Sequence, residues 1–183
     1  MANLRYTNTA ILLHWVMALL ILVTWSIAIV VSDMPLSPAR IAGFSWHKWL
    51  GTTVFFLVLV RIVWRATHRV PKLNVTMPAW QERTMQFTHL ALYFLMLVIP
   101  LIGWLMSSAK GYTVNYFGFF DLPDLLEKDK ALGHLLKEVH EVLANGLMVL
   151  VGLHVLAALK HQWIDKDGLL SRMSFCRHKS NER

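Results

Sequence analysis

Nine histidines stand in a chain of 183 residues that is 56% hydrophobic. Two of them, His140 and His154, lie 14 residues apart in one apolar stretch. At about 100° per residue, 14 steps fall roughly 40° short of four full turns, so both point to nearly one helix face. Along the axis they are about 21 Å apart, most of a bilayer hydrocarbon core of about 30 Å. Neutral imidazole is a common metal ligand, and an ionisable side chain at membrane depth is a functional hypothesis by default. One helix thus offers a ligand in each half of a membrane. Two stacked haems, each needing one more ligand, fill that arrangement. A structural zinc does not, because its ligands must share one small tetrahedron.

The missing partners follow from depth. His14 lies near the start of the first apolar stretch, level with His154. His47 opens the second, level with His140. The expected pairs are His14 with His154 and His47 with His140. Two histidines leave a haem iron no open position, which suits electron transfer rather than oxygen binding. Gly51 and Gly152 lie close to His47 and His154, where a small residue lets a flat macrocycle approach the backbone. Taken singly, each histidine has a plainer reading, as an interfacial residue or one satisfied by a neighbouring hydroxyl or carbonyl.

Arg61 lies 14 residues after His47. It is either a propionate partner for the inner haem or a snorkelling side chain. Lys48 has the same two readings at the outer haem. His89 and His161 fall at or beyond the inner level. Either one replaces a named ligand, hydrogen bonds a quinone carbonyl, or is interfacial. His134 is about 120° from His140 in phase and reads as surface, as do His68 and His178 in basic segments.

These residues need spans to hold them. A crossing helix takes about 20 apolar residues, and four stretches qualify: 10–31, 46–64, 85–106 and 137–163. Charged residues are only 16% of the chain, against roughly 25% in soluble proteins. The expected fold is all-α, a transmembrane four-helix bundle forming one integral membrane domain over 1–183. The first stretch exceeds a signal-peptide core of about 7–15 residues and lacks an A-x-A-like site, so it reads as a retained helix. Twelve Lys and Arg against four acids fall on the side of both termini; six against seven fall on the other. The positive-inside rule makes both termini cytoplasmic. The formal charge of +7 then reports topology and contact with anionic lipid rather than nucleic-acid binding. A single cysteine, Cys176, excludes an internal disulfide framework. In the longest outer segment, 107–136, the stretch after Pro123 is expected to form a short interfacial helix.

The order of these pieces resembles the bacterial cytochrome b561 family over nearly the whole chain. The matching segments are Leu13-His14-Trp15, Trp46-His47-Lys48 with Gly51, and Arg61-Ile62-Val63-Trp64-Arg65. They continue with His89-Leu90-Ala91-Leu92-Tyr93, Pro100 with Gly103, and His140-Glu141-Val142-Leu143-Ala144-Asn145. Gly152-Leu153-His154, Lys160-His161, Asp165-Lys166-Asp167 and Leu169-Leu170-Ser171-Arg172-Met173 complete the set. The resemblance implies an inner-membrane protein with two haem b groups on His14, His47, His140 and His154, exchanging electrons with ubiquinone. Some relatives look like superoxide:ubiquinone oxidoreductases, which is one alternative. Another is a haem-b membrane anchor that passes electrons for a separate redox enzyme. A periplasmic electron donor or partner protein is implied in either case.

Overall fold

The structure is a computed structural model and describes residues 5–68, 71 and 77–175. Cys176, His178 and the basic residues Arg69, Lys72, Arg177, Lys179 and Arg183 lie outside the described residues. Four long helices dominate: α1 (Asn8–Ser32), α2 (Pro38–Thr67), α3 (Ala79–Ala109) and α4 (Lys130–Lys160). All four are long and apolar enough to cross a membrane.

Caps rather than hydropathy set where α1, α2 and α4 begin. The Thr7 hydroxyl accepts from the Ala10 amide, and Ser37 accepts from Arg40 ahead of Pro38 in the first turn. Asp129 accepts from Leu132 at the start of α4. A side-chain oxygen satisfies an orphan amide at each of these ends, and proline is preorganised for a first helical turn. So α2 starts at Pro38 rather than near Trp46, and α4 at Lys130 rather than near Lys137. At about 1.5 Å per residue, helices of 30 and 31 residues overshoot a hydrocarbon core of about 30 Å.

The helices run up and down. The largest interfaces join α1 to α2 and α3 to α4, with α2 against α3 between them. The described chain therefore begins and finishes at one end of the bundle, called here the terminal end. Leu92, Ile99 and Leu147 form the centre of the α3–α4 contact. Leu19, Val30, Leu90, Val142, Val149 and Leu156 face outward and stay exposed, as lipid-facing side chains do.

The opposite end carries a feature that hydropathy does not signal. Strands β1 (Val114–Tyr116) and β2 (Phe120–Leu122) pair antiparallel. Phe117 and Gly118 turn between them with φ of 50° and 79°. Asn115 holds the turn, its side-chain oxygen accepting from the Gly118 amide at 2.6 Å. The expected helix after Pro123 does not form: residues 123–129 are irregular up to the Asp129 cap. The chain there is fixed by tertiary bonds instead. Trp104 donates its indole N–H to the Pro123 carbonyl and Leu125 donates its amide to the Ser108 hydroxyl.

Candidate haem-binding sites

At the hairpin end, each helix contributes one group to a single constellation. His47 of α2 and His140 of α4 face each other with ring centroids 6.1 Å apart and planes at 77°. The Nδ1 of His47 donates to the Thr24 carbonyl of α1 at 3.0 Å. The Nδ1 of His140 donates to the Ile99 carbonyl of α3, also at 3.0 Å. A carbonyl can only accept, so each Nδ1 carries the proton and each Nε2 is left bare. Gly103 of α3 makes the second contact geometrically feasible. A Cβ there would stand 3.1 Å from the His140 ring.

The donor set and spacing fit a metal held between two imidazoles. Two metal–nitrogen bonds of about 2 Å, with roughly 1.1 Å from each nitrogen to its ring centroid, give a centroid separation of about 6 Å. The two rings line a cavity of about 690 Å³ together with Thr24, Trp25, Gly51 and Lys48. Small-molecule sites run to about 300–1,000 Å³. Gly51 sharpens the fit, because a Cβ at this position would meet nothing within 4 Å. The wall there is a cradle rather than a packed contact.

Cations ring the cavity. Arg40, Lys48, Lys110 and Lys137 line it, with Asp33 and Glu141 as the acids. The Lys48 ammonium lies 5.7 Å over the Tyr112 ring. Lys137 pairs with Glu141 at 2.8 Å. Burial first, then the like charge of Lys137, holds the Lys110 ammonium below the usual lysine range, with Glu141 opposing. The hairpin closes over the neighbouring surface. Phe117 stacks on Trp49 at 4.7 Å, and the Trp49 indole donates to the Asn115 carbonyl at 2.7 Å.

At the terminal end three histidines meet rather than two. His14 of α1 and His154 of α4 are 6.3 Å apart by ring centroid, close to the 6.1 Å of the other pair. His89 of α3 lies 5.4 Å from His154 and donates Nδ1 to its own helix at Met85. Arg61 ties the level together. It donates to the Tyr93 hydroxyl at 2.9 Å and the Ala10 carbonyl at 3.2 Å, and its third nitrogen lies 3.3 Å from His14 Nδ1. A guanidinium only donates, so this contact places the His14 lone pair on Nδ1 and the proton on Nε2. The spacing matches the first site, whereas the tautomer does not.

The remaining histidines separate. His161 is not beside His89; it opens a π-helical turn, His161–Asp165, and bonds Asp167 at 2.6 Å. His134 is exposed. His68 is exposed as well and stacks on Trp64 at 3.8 Å. The hairpin, the carbonyl partners of His47 and His140, and the contact of the acids with His161 do not follow from the sequence. Only the acids had a local signal, in Asp165-Lys166-Asp167.

Residues 5–175 match the family model described as prokaryotic cytochrome b561. The chain is 28% identical over 170 residues to cytochrome b561 homolog 1 of Escherichia coli (strain K12), covering 92% of this chain and 96% of that one. It is 35% identical over 130 residues to cytochrome b561 homolog 2 of the same organism, covering 69% and 68%. It is also 27% identical over 179 residues to the probable superoxide oxidase CybB of Yersinia pestis, covering 92% and 95%.

Proposed function

We propose a function from one premise: the chain belongs to the prokaryotic cytochrome b561 family. It is accordingly a bacterial membrane protein of a haem-b electron-transfer family. Our reading goes further. The chain holds two haem b groups, one between His47 and His140 and one between His14 and His154, and exchanges electrons with the quinone pool. The observation that carries it is the four-helix constellation at the hairpin end. There, two imidazoles with bare Nε2 atoms stand 6.1 Å apart across a cavity.

Each residue has a task in this reading. His47 and His140 are held in orientation by the Thr24 and Ile99 carbonyls, which also raise their basicity as ligands. Lys48 stands where it would pair with a propionate at the hairpin end, and Arg61 does so at the terminal end. The apolar bundle excludes water. A bound haem supplies a one-electron couple whose potential follows its ligands and local charge. His89 and His161 lie at the terminal end, where either would hydrogen bond a quinone carbonyl. Loop charge supports cytoplasmic termini in the inner membrane.

The test is a reduced-minus-oxidised spectrum of the purified protein with a haem-to-protein ratio. A ratio near two is expected, and absence of haem ends the reading.

A second reading rests on a specific observation, the cationic rim of Arg40, Lys48, Lys110 and Lys137 around the hairpin-end cavity. Such a rim would draw a small anion such as superoxide toward the outer site. One relative is named a probable superoxide oxidase. Superoxide would then be the electron donor and ubiquinone the acceptor. An anchor subunit serving a separate redox enzyme would instead show no turnover with a small donor and quinone alone.

A further inference from the structure

Where α4 ends, the backbone widens into the π-helical turn His161–Asp165. Lys166 then takes a left-handed conformation (φ 52°) and Gly168 another (φ 73°), so the chain folds back on the turn. The fold-back sets two carboxylates on one imidazole nitrogen. His161 Nδ1 lies 2.6 Å from Asp167 Oδ2 and 3.0 Å from Asp165 Oδ2. The other Asp167 oxygen accepts from the Leu169 amide at 3.0 Å, which fixes its orientation. The Asp167 side chain is only 8% exposed and that of Asp165 29%. Asp165 also pairs with Lys160 at 2.6 Å. The segment that follows is docked on α1 through the Trp15 indole and the Met173 carbonyl, 2.9 Å apart.

An ionised carboxylate only accepts, so Nδ1 carries a proton and Nε2 is the group free to act. When both ring nitrogens carry protons, the two carboxylates accept at the Nδ1 side and Nε2–H is the donor left facing away from them. Quinone chemistry needs such a group, since each quinone takes up two protons with two electrons to become quinol. We propose that Asp167, assisted by Asp165, makes His161 the proton donor to the quinone at the terminal end. This rests on the quinone reading above. The His161 Nε2–H bond breaks as an O–H bond forms on one quinone oxygen, leaving a neutral ring still held through Nδ1. Water on the Asp165 and Lys160 side returns a proton to Nε2. The second quinone oxygen takes its proton from solvent, and the electrons arrive from the reduced protein. In quinol oxidation the same nitrogen accepts the proton. Asp167 is a positioning residue here; His161 is the group that touches substrate.

The experiment uses the full chain with its haems, chemically reduced and mixed with a short-chain ubiquinone across a range of pH. Haem reoxidation is followed optically. Ferricyanide, which takes an electron without a proton, serves as the reference oxidant. For Asp167→Asn the expected result is an unchanged haem spectrum and ferricyanide rate. The quinone rate falls roughly tenfold or more at neutral pH, and its dependence on pH changes. KM for quinone stays within about twofold, and Asp167→Glu recovers most of the rate. Asp165→Asn, which keeps the Asp167 contact, shows a smaller change in the same direction. An unaltered quinone profile in Asp167→Asn overturns the proposal while leaving the quinone reading intact. A wild-type protein that reacts with ferricyanide but not ubiquinone overturns the quinone reading itself. The three side chains also place one ligand atom each within 4.8 Å of one another. Quinone activity that is abolished by a chelator and restored by Zn²⁺ or Mn²⁺ would therefore overturn the relay in favour of a cation site.

Discussion

His47 and His140 stand 6.1 Å apart by ring centroid, and each gives its Nδ1 proton to the carbonyl of a different third helix. The site is therefore preset: rotation of either ring would break a bond that the other two helices supply. Under the ligand assignment, His140→Ala should lower haem from two per chain to one and leave the other haem's spectrum in place. His154→Ala should do the reverse. Pyridine haemochrome analysis against protein content reads both. Retention of two haems in either variant would remove the assignment.

Gly51 tests the cradle rather than the ligands. It lines the cavity and has open space where a side chain would start. Gly51→Leu should therefore abolish haem binding at the hairpin end with little cost to the fold. Gly146 also has nothing within 4 Å of a Cβ, but it is exposed and does not line the cavity. Gly146→Leu should keep both haems, and equal haem loss in the two variants would argue against a cradle at Gly51.

At the terminal end the structure sets two rings against His154, from His14 and His89. The 6.3 Å spacing favours His14. His89→Ala should then retain both haems, whereas His14→Ala should lose one; the opposite pattern would exchange their roles. Arg61 must release His14 Nδ1 for that ring to offer Nε2. The guanidinium would stay nearby as a positive charge stabilising the reduced state. Arg61→Gln should lower the midpoint potential of that haem by about 50–100 mV, taking a unit charge several ångströms away at an effective dielectric near 20. Redox titration with both haems resolved measures it.

The four spans were legible because a bilayer demands long apolar runs, and the 14-residue spacing of His140 and His154 survives because helical phase is a local property. Helix ends were less legible. Ser37 and Asp129 extend α2 and α4 past the apolar runs through caps, which hydropathy does not register. The hairpin is not legible in the sequence, since it depends on Asn115 bonding Gly118 and on Trp49 stacking with Phe117, one contact too short and the other too long-range for a periodicity. Depth pairs His14 with His154 in the sequence but leaves His89 open as a replacement, because both fall at one depth on different helices. Likewise, the pairing of His161 with Asp167 needs a π turn that no spacing announces.

The cationic rim yields the last prediction. If superoxide is the donor, its encounter with the hairpin-end site is steered by charge, and the rate must respond to the rim even where the haem is untouched. Lys137 is partly neutralised by Glu141 at 2.8 Å. Lys137→Gln should therefore slow superoxide-driven ubiquinone reduction several-fold at low ionic strength, and Glu141→Gln should speed it. Both differences should shrink as salt brings the Debye length down to about 8 Å and below. The Lys110 ammonium is held below the ordinary lysine range by burial and by Lys137. A lysine carries its charge only below its pKa, so lowering that value removes the charge at a lower pH. The superoxide rate should thus begin to fall at a lower pH than a free lysine would dictate. Lys137→Gln removes the like charge and should shift that fall upward. Rates indifferent to both substitutions and to salt, with both haems present, would exclude steering by the rim and leave the anchor reading to be tested with a partner enzyme.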